Sequence, residues 1–335
     1  MARRKRASAG EAAFFDRFRS AIARLPAGLI RAQPGAPPDD VARASTALGR
    51  PLPEEYASFL RSFDGADLFH ESVLIAGVGA GAPWVLGALA PERADEIVFA
   101  EALAGDRFAL DGAGRVLRYD PGAEERALAG SSFTRWLDAT VAREQILFGP
   151  DGEYAPDVFD PAGQEVVPTI ALRQAERALK LDPGAADAEH ARGLALARLG
   201  RREAALAAFR AATDLYADNP WPWFDLGRTA LALAKPAAAL PAFRRAATAA
   251  VDASTSARLL AWAARAAVAS SDDAAVETLR AEARAKDPQL VEHLLRSAAE
   301  AAGESDDDAR AEAVALLEAV APGTPVPRRL PVLPH

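Results

Sequence analysis

The sequence predicts two folds in succession: an α+β domain of helices packed on a mostly antiparallel sheet over residues 11–149, then an all-α solenoid over 167–322. Three observations carry this. Up to about residue 149, apolar residues recur at helical spacing in some stretches and alternate in others, the mark of mixed structure. The stretch "DGAG", Asp111–Gly114, separates two short apolar runs in the way a hairpin turn does. Beyond residue 167, landmark residues repeat at a spacing of 34: Gly193 with Gly227, Ala205 with Ala239, Phe209 with Phe243.

Residues 1–10, with the basic run Arg3–Arg6, read as a flexible tail. A first helix follows in "EAAFFDRFRSAIARL", with Phe14, Phe15, Phe18 and Ile22 along one face, and "PGAPP" ends that segment. A second helix starts at Asp39 or Asp40. A third has Pro53 and the carboxylates Glu54 and Glu55 in its first turn, and a core stripe of Tyr56, Phe59, Leu60 and Phe63. Asp64-Gly65 is expected to stop it as a turn. Strands are expected at "SVLIAGV", "EIVFAEAL", "RFAL" and "RVLRYD". The closing helix, "SSFTRWLDATVAREQIL", is expected to start from a serine cap and to bury Phe133, Trp136 and Leu137. Residues 150–166 form a linker.

From 167 to 322 about four helical units are expected. "WFDLGRTA" gives W-x-x-L-G-x-x-A from Trp223 to Ala230, and Ala239-x-x-x-Phe243 follows. This resembles the tetratricopeptide repeat. Small residues at Gly193, Gly227, Ala205 and Ala239 let antiparallel helices approach, and Phe209 and Phe243 fill the space between pairs. "ALRQAERALKLDP" reads as half a unit, and two degenerate pairs run downstream, closing at Pro288 and Pro322. Residues 323–335 form a Pro-rich tail.

In the first half, the order of Leu48, Gly49, Leu52, Pro53, Tyr56, Phe59 and Leu60, then Asp-Gly, strands, Asp111, Gly114, Val116 and Tyr119, and a closing "SSF-x-x-WL" resembles the Smi1/Knr4 family of the SUKH superfamily. That family more often carries Asn-Gly where this chain has Asp64-Gly65. The resemblance implies a protein-binding module, commonly a bacterial immunity protein that neutralises a toxin, with eukaryotic relatives acting as regulatory hubs.

Composition narrows the remaining classes. The chain of 335 residues holds no cysteine, which removes disulfide and thiolate chemistry, and its four histidines are scattered. The formal net charge of −8 argues against nucleic acid, whose phosphates call for a clustered basic face. No membrane span, secretory signal, cofactor or metal site is expected, and a cytoplasmic address follows by default. Paired acids at Asp39-Asp40, Glu54-Glu55, Asp272-Asp273 and Asp306–Asp308 fall at helix starts. Adjacent helical positions diverge by about 100°, so capping explains them better than acid–base catalysis. "GVGAGAP" lacks the register of a phosphate loop, and "DGEYAPD" lacks the ligand pattern of a calcium loop. No catalytic residue is assigned; a hydrolase built on His70 and nearby carboxylates is the enzymatic alternative.

Two partner-binding surfaces are expected. On the first domain, Asp64, Asp67, His70, Glu71 and Trp84 form an acidic, aromatic edge suited to a basic toxin domain. Trp84 reads equally well as core. On the repeats, one helical face carries Asp187, His190, Leu194 and Arg198, then Trp221, Phe224 and Arg228, then Arg258 and Arg265. Arginines beside aromatics suit an acidic segment or a C-terminal carboxylate, although Trp221 and Phe224 could instead pack between helix pairs. The two functional expectations are toxin neutralisation by stoichiometric binding and an adaptor that links two protein partners.

Overall fold

The computed structural model describes residues 2–121, 125–304 and 306–326. The chain divides into two compact units, Met1–Leu199 and Gly200–His335. Residues 327–335 of the expected Pro-rich tail, including His335, lie outside the described residues.

The first unit runs α1 (Ala2–Ile22), β1 (Ile30–Pro34), α2 (Pro38–Ala47), α3 (Glu54–Ser62), β2 (Phe63–Leu68), β3 (Val73–Ile75), β4 (Ile97–Ala102), β5 (Arg107–Leu110), β6 (Val116–Tyr119), β7 (Ala127–Gly130), α4 (Phe133–Glu144), α5 (Pro168–Leu181) and α6 (Ala186–Arg198). The seven strands form one antiparallel meander, each pairing with its sequence neighbours. Because side chains alternate across a strand, Phe99, Phe108 and Leu110 face one side, where they meet Phe15 of α1, Tyr56 and Phe59 of α3, and Phe133 and Trp136 of α4. Val98, Ala109 and Tyr119 face the other side, against Trp84 and Leu89.

That second face is covered by the connection from β3 to β4, which is fastened near both ends. Asp64 accepts from the backbone N–H of Val78 at 2.6 Å and Gly79 at 2.9 Å. At the far end Arg126, only 3 % exposed, pairs with Glu96 at 3.0 Å and Glu92 at 3.1 Å and stacks 3.9 Å over the Tyr119 ring. A buried guanidinium is tolerable only when carboxylates neutralise it in this way.

Two expectations are corrected here. Asp64-Gly65 is not a turn: α3 passes directly into β2, and both residues lie within that strand. Gly65 is required there by a φ of +85° and by the Ile75 carbonyl, 2.9 Å from where a Cβ would stand. Ser132 occupies the N-cap position of α4 but makes no side-chain cap bond. Glu55 of α3 supplies the acceptor instead, taking the Thr134 N–H at 2.8 Å and its hydroxyl at 3.0 Å. Helix α1 begins at Ala2, so the basic run Arg3–Arg6 lies within it.

The second unit contains α7 (Arg202–Leu215), α8 (Pro220–Ala232), α9 (Pro236–Ala249), α10 (Ala253–Ala269), α11 (Asp273–Lys286), α12 (Leu290–Glu304) and α13 (Asp307–Val320). Consecutive helices pack as pairs, α8 with α9, α10 with α11 and α12 with α13. A Cβ added at Gly227 would stand 2.7 Å from the Phe243 ring, so the small residue and the phenylalanine fit each other as the repeat pattern requires. Asp252, Asp272 and Asp306 cap α10, α11 and α13, accepting from Thr255, Ala275 and Ala309. The last pair departs from a regular stack: α13 packs against both α10 and α11. Arg280 and Arg284 of α11 donate to the carbonyls of Ala319 and Val320 at its C-terminal end.

Candidate protein-binding surfaces

The expected acidic edge of the first unit is largely internal. Asp64 and Asp67 are 8 % and 9 % exposed, which corrects their expected exposure. Asp64 holds the β3–β4 connection. Asp67 pairs with Arg31 at 2.7 Å and accepts from the Glu71 N–H at 2.7 Å. That second bond stabilises a turn in which Phe69, His70 and Glu71 take φ of 53°, 55° and 70° in succession, a conformation costly for residues with a Cβ. His70 and Glu71 are exposed as expected. The His70 ring edge meets Phe148 at 5.9 Å and its Nε2 lies 3.5 Å from the Gly152 carbonyl. Trp84 is half-buried against both apolar clusters.

A different concavity forms in the same unit. A groove of about 810 Å³ opens between the β4–β5 turn, the end of α4 and one face of α6. Leu103, 74 % exposed, and Leu194, 42 % exposed, stand among its lining residues, with His190 on the α6 side. At its base Arg118 of β6 donates to Asp187 of α6 at 3.0 and 2.8 Å and to Asp106 at 2.9 Å. The charge of Asp187 holds the Arg118 guanidinium well above its ordinary value against the opposing effect of burial. Burial acts to raise the Asp187 carboxyl, but the charge and hydrogen bonds of Arg118, with smaller help from Arg143 and His190, leave it below the usual carboxylate range.

Within the unit, α5 and α6 are anchored by a second contact. The buried Asp182 carboxylate accepts from the Ser131 N–H at 2.7 Å and its hydroxyl at 2.6 Å. The helix face read as repeat groove at Asp187, His190 and Leu194 therefore faces the sheet. Arg198, at the end of α6, pairs with Glu165 at 2.9 Å. Sequence reasoning missed Arg118, Asp106 and Leu103, since nothing local marks a strand arginine as the partner of a helix 69 positions away.

In the second unit, Trp221, Phe224 and Arg228 share one face of α8 with Arg265 of α10. Trp221 is 42 % exposed and meets Phe224 edge-on at 6.1 Å. Phe224 is half-buried against Phe243 at 6.0 Å and Trp262 at 5.5 Å. The guanidinium carbons of Arg228 and Arg265 lie 5.8 and 4.8 Å from the centre of the Trp262 ring. Trp262 is the member the sequence reading did not single out; its position three residues before Arg265 on an apolar helix was the available signal. Arg258 is exposed on α10. Among the described residues, no group of three or more His, Asp or Glu side chains is placed to hold a metal.

Residues 35–139 match the family model "SMI1 / KNR4 family (SUKH-1)". The SMI1/KNR4 match begins just after β1 and runs into α4, so it takes in β2–β7 and Glu55, whose carboxylate caps α4. No curated protein matches the chain. Similar solved structures include YrrB, described as "a TPR protein with an unusual peptide-binding site", at 20 % identity, covering 47 % of this chain and 79 % of that one with a TM-score of 0.33. MamA is similar at 18 % identity, covering 46 % and 86 % with a TM-score of 0.34. PilF of Pseudomonas aeruginosa is similar at 19 % identity, covering 57 % and 76 % with a TM-score of 0.32. A SMI1/KNR4 segment joined to paired helices supports a protein-binding role. No helix among the described residues is long and apolar enough to cross a membrane.

Proposed function

We propose that this is a non-enzymatic, cytoplasmic protein of the bacterial immunity type, which neutralises a toxin by binding it stoichiometrically and covering its working surface. The SMI1/KNR4 match over residues 35–139 is the observation that carries this reading. The sites support it by what they offer. The ionisable groups at the base of the groove are tied to one another, His70 stands against an aromatic ring, and the exposed side chains suit contact with a protein surface.

A second reading, an adaptor whose helical pairs hold another protein, is favoured by one observation. Arg228 and Arg265 both lie over Trp262 beside the exposed Trp221, an arrangement suited to an acidic segment or a C-terminal carboxylate.

Affinity capture from the native cell with the full chain separates the two. A single toxin-like protein in one-to-one ratio, retained by an Arg228→Glu/Arg265→Glu variant, supports immunity. Partners that are not toxins and are lost with that variant support the adaptor.

A further inference from the structure

We propose that the groove between the β4–β5 turn and α6 is the docking site for a segment of a protein partner in which basic and apolar side chains alternate. This rests on the reading that the protein works by binding another protein, and it names the surface and the chemistry.

Apolar surface is the first observation. Leu103 and Leu194 expose 74 % and 42 % of their area beside the groove, with Phe159 among its lining residues. A partner's aliphatic side chain placed against them removes apolar surface from water on both partners.

Charge is the second, and it decides the sign of the partner. Arg118 sends Nε and Nη2 to Asp187 and Nη1 to Asp106, so its hydrogen-bonding edge is committed. Arg143 pairs with Glu144 through Nε at 3.0 Å. An acidic ligand would therefore find the Arg118 donors already taken. Each carboxylate, in contrast, keeps lone pairs after one or two bonds, so a lysine or arginine finds acceptors. Asp106, Glu144 and Asp187 outnumber Arg118 and Arg143 by one charge. The flanking stretch 148–167 adds Asp151, Glu153, Asp157 and Asp160, with Glu165 paired to Arg198, and holds no basic residue. A basic segment is drawn to such a surface and an acidic one is repelled.

The groove needs the sheet and α6 together, since Leu103 and Asp106 come from one and Asp187 and Leu194 from the other. That gives a physical reason for a SMI1/KNR4 segment to carry helices after it.

The test uses the full chain, labelled with ¹⁵N, and two probes: acetylated, amidated hexapeptides of alternating Leu and Arg, and of alternating Leu and Glu. The proposal expects the Leu/Arg peptide to perturb amides around Leu103–Asp106 and Ala191–Leu194, with Leu194→Arg weakening it at least tenfold. Val268→Arg, at an exposed position of the second unit, should leave binding unchanged. Leu194 is partly exposed, so its variant should keep the wild-type melting temperature, and Leu103→Arg serves as a second variant. Equal binding of the Leu/Glu peptide, perturbations centred on Phe224–Arg228, or unchanged binding by both leucine variants overturns the proposal. A toxin partner retained in cells by Leu103→Arg/Leu194→Arg also overturns it while leaving the proposed function standing. Groove binding of the Leu/Arg peptide with no toxin partner in cells leaves the groove and removes the immunity reading.

Discussion

Arg118 Nε and Nη2 donate to the two carboxylate oxygens of Asp187 at 3.0 and 2.8 Å, a two-point pair that joins β6 to α6. The planar guanidinium fork matches a carboxylate edge, so the contact fixes orientation as well as distance. With Asp182 on Ser131, it makes α5 and α6 part of the unit that contains the sheet.

Breaking that pair should cost more than removing it. Arg118→Ala leaves Asp187 enclosed with its main counter-charge gone, and an expected loss of about 1–3 kcal/mol follows, less than for a fully buried pair because Arg118 keeps 34 % of its side chain exposed. The double variant Arg118→Met/Asp187→Leu should recover part of this. Urea unfolding of the four members of the cycle measures the coupling.

The same carboxylate predicts a pH dependence. The folded Asp187 sits below its unfolded value, so its contribution is present above about pH 4 and is lost as pH falls through the folded value. Unfolding midpoints taken between pH 3 and 6 should fall on acidification, and Asp187→Asn should flatten that slope. A slope unchanged by Asp187→Asn would contradict the assignment.

Helix α4 offers a contrast between neighbours in space. Glu55→Ala removes the acceptor for the Thr134 N–H and hydroxyl and should cost about 1 kcal/mol, whereas Ser132→Ala should cost less than about 0.5 kcal/mol. Chemical denaturation of the two variants decides which residue caps the helix.

In the second unit, Gly227→Ala places a methyl group 2.7 Å from the Phe243 ring. Overpacking of this kind should cost about 1–3 kcal/mol, and Phe243→Leu in the same chain should relieve part of it. Thermal unfolding of the single and double variants reads the coupling.

Much of the architecture was legible in the sequence for local reasons. The Tyr56, Phe59, Leu60 stripe, the Asp111–Gly114 turn and the Gly227–Phe243 fit are all set by short-range spacing. What escaped depends on distant partners. Nothing around "IRAQP" announces that β1 pairs with β2, and Asp-Gly reads as a turn until the close approach of Ile75 shows that the strand needs the glycine. Ser132 is a good cap by type, yet Glu55 arrives from α3 and takes the place. The candidate sites follow the same division. Helical spacing places Arg228 and Arg265 on one side, where both lie over Trp262, whereas Asp64 and Asp67 were expected at the surface because their interior acceptor roles depend on Val78, Gly79 and Arg31.

The central claim, that the protein acts by occupying a toxin, is tested most directly by growth. Cells producing the toxin captured with the full chain should recover growth when the full chain is co-produced, and the two proteins should purify as a one-to-one complex. No recovery of growth, with no complex formed at micromolar concentrations of both proteins, would contradict the account.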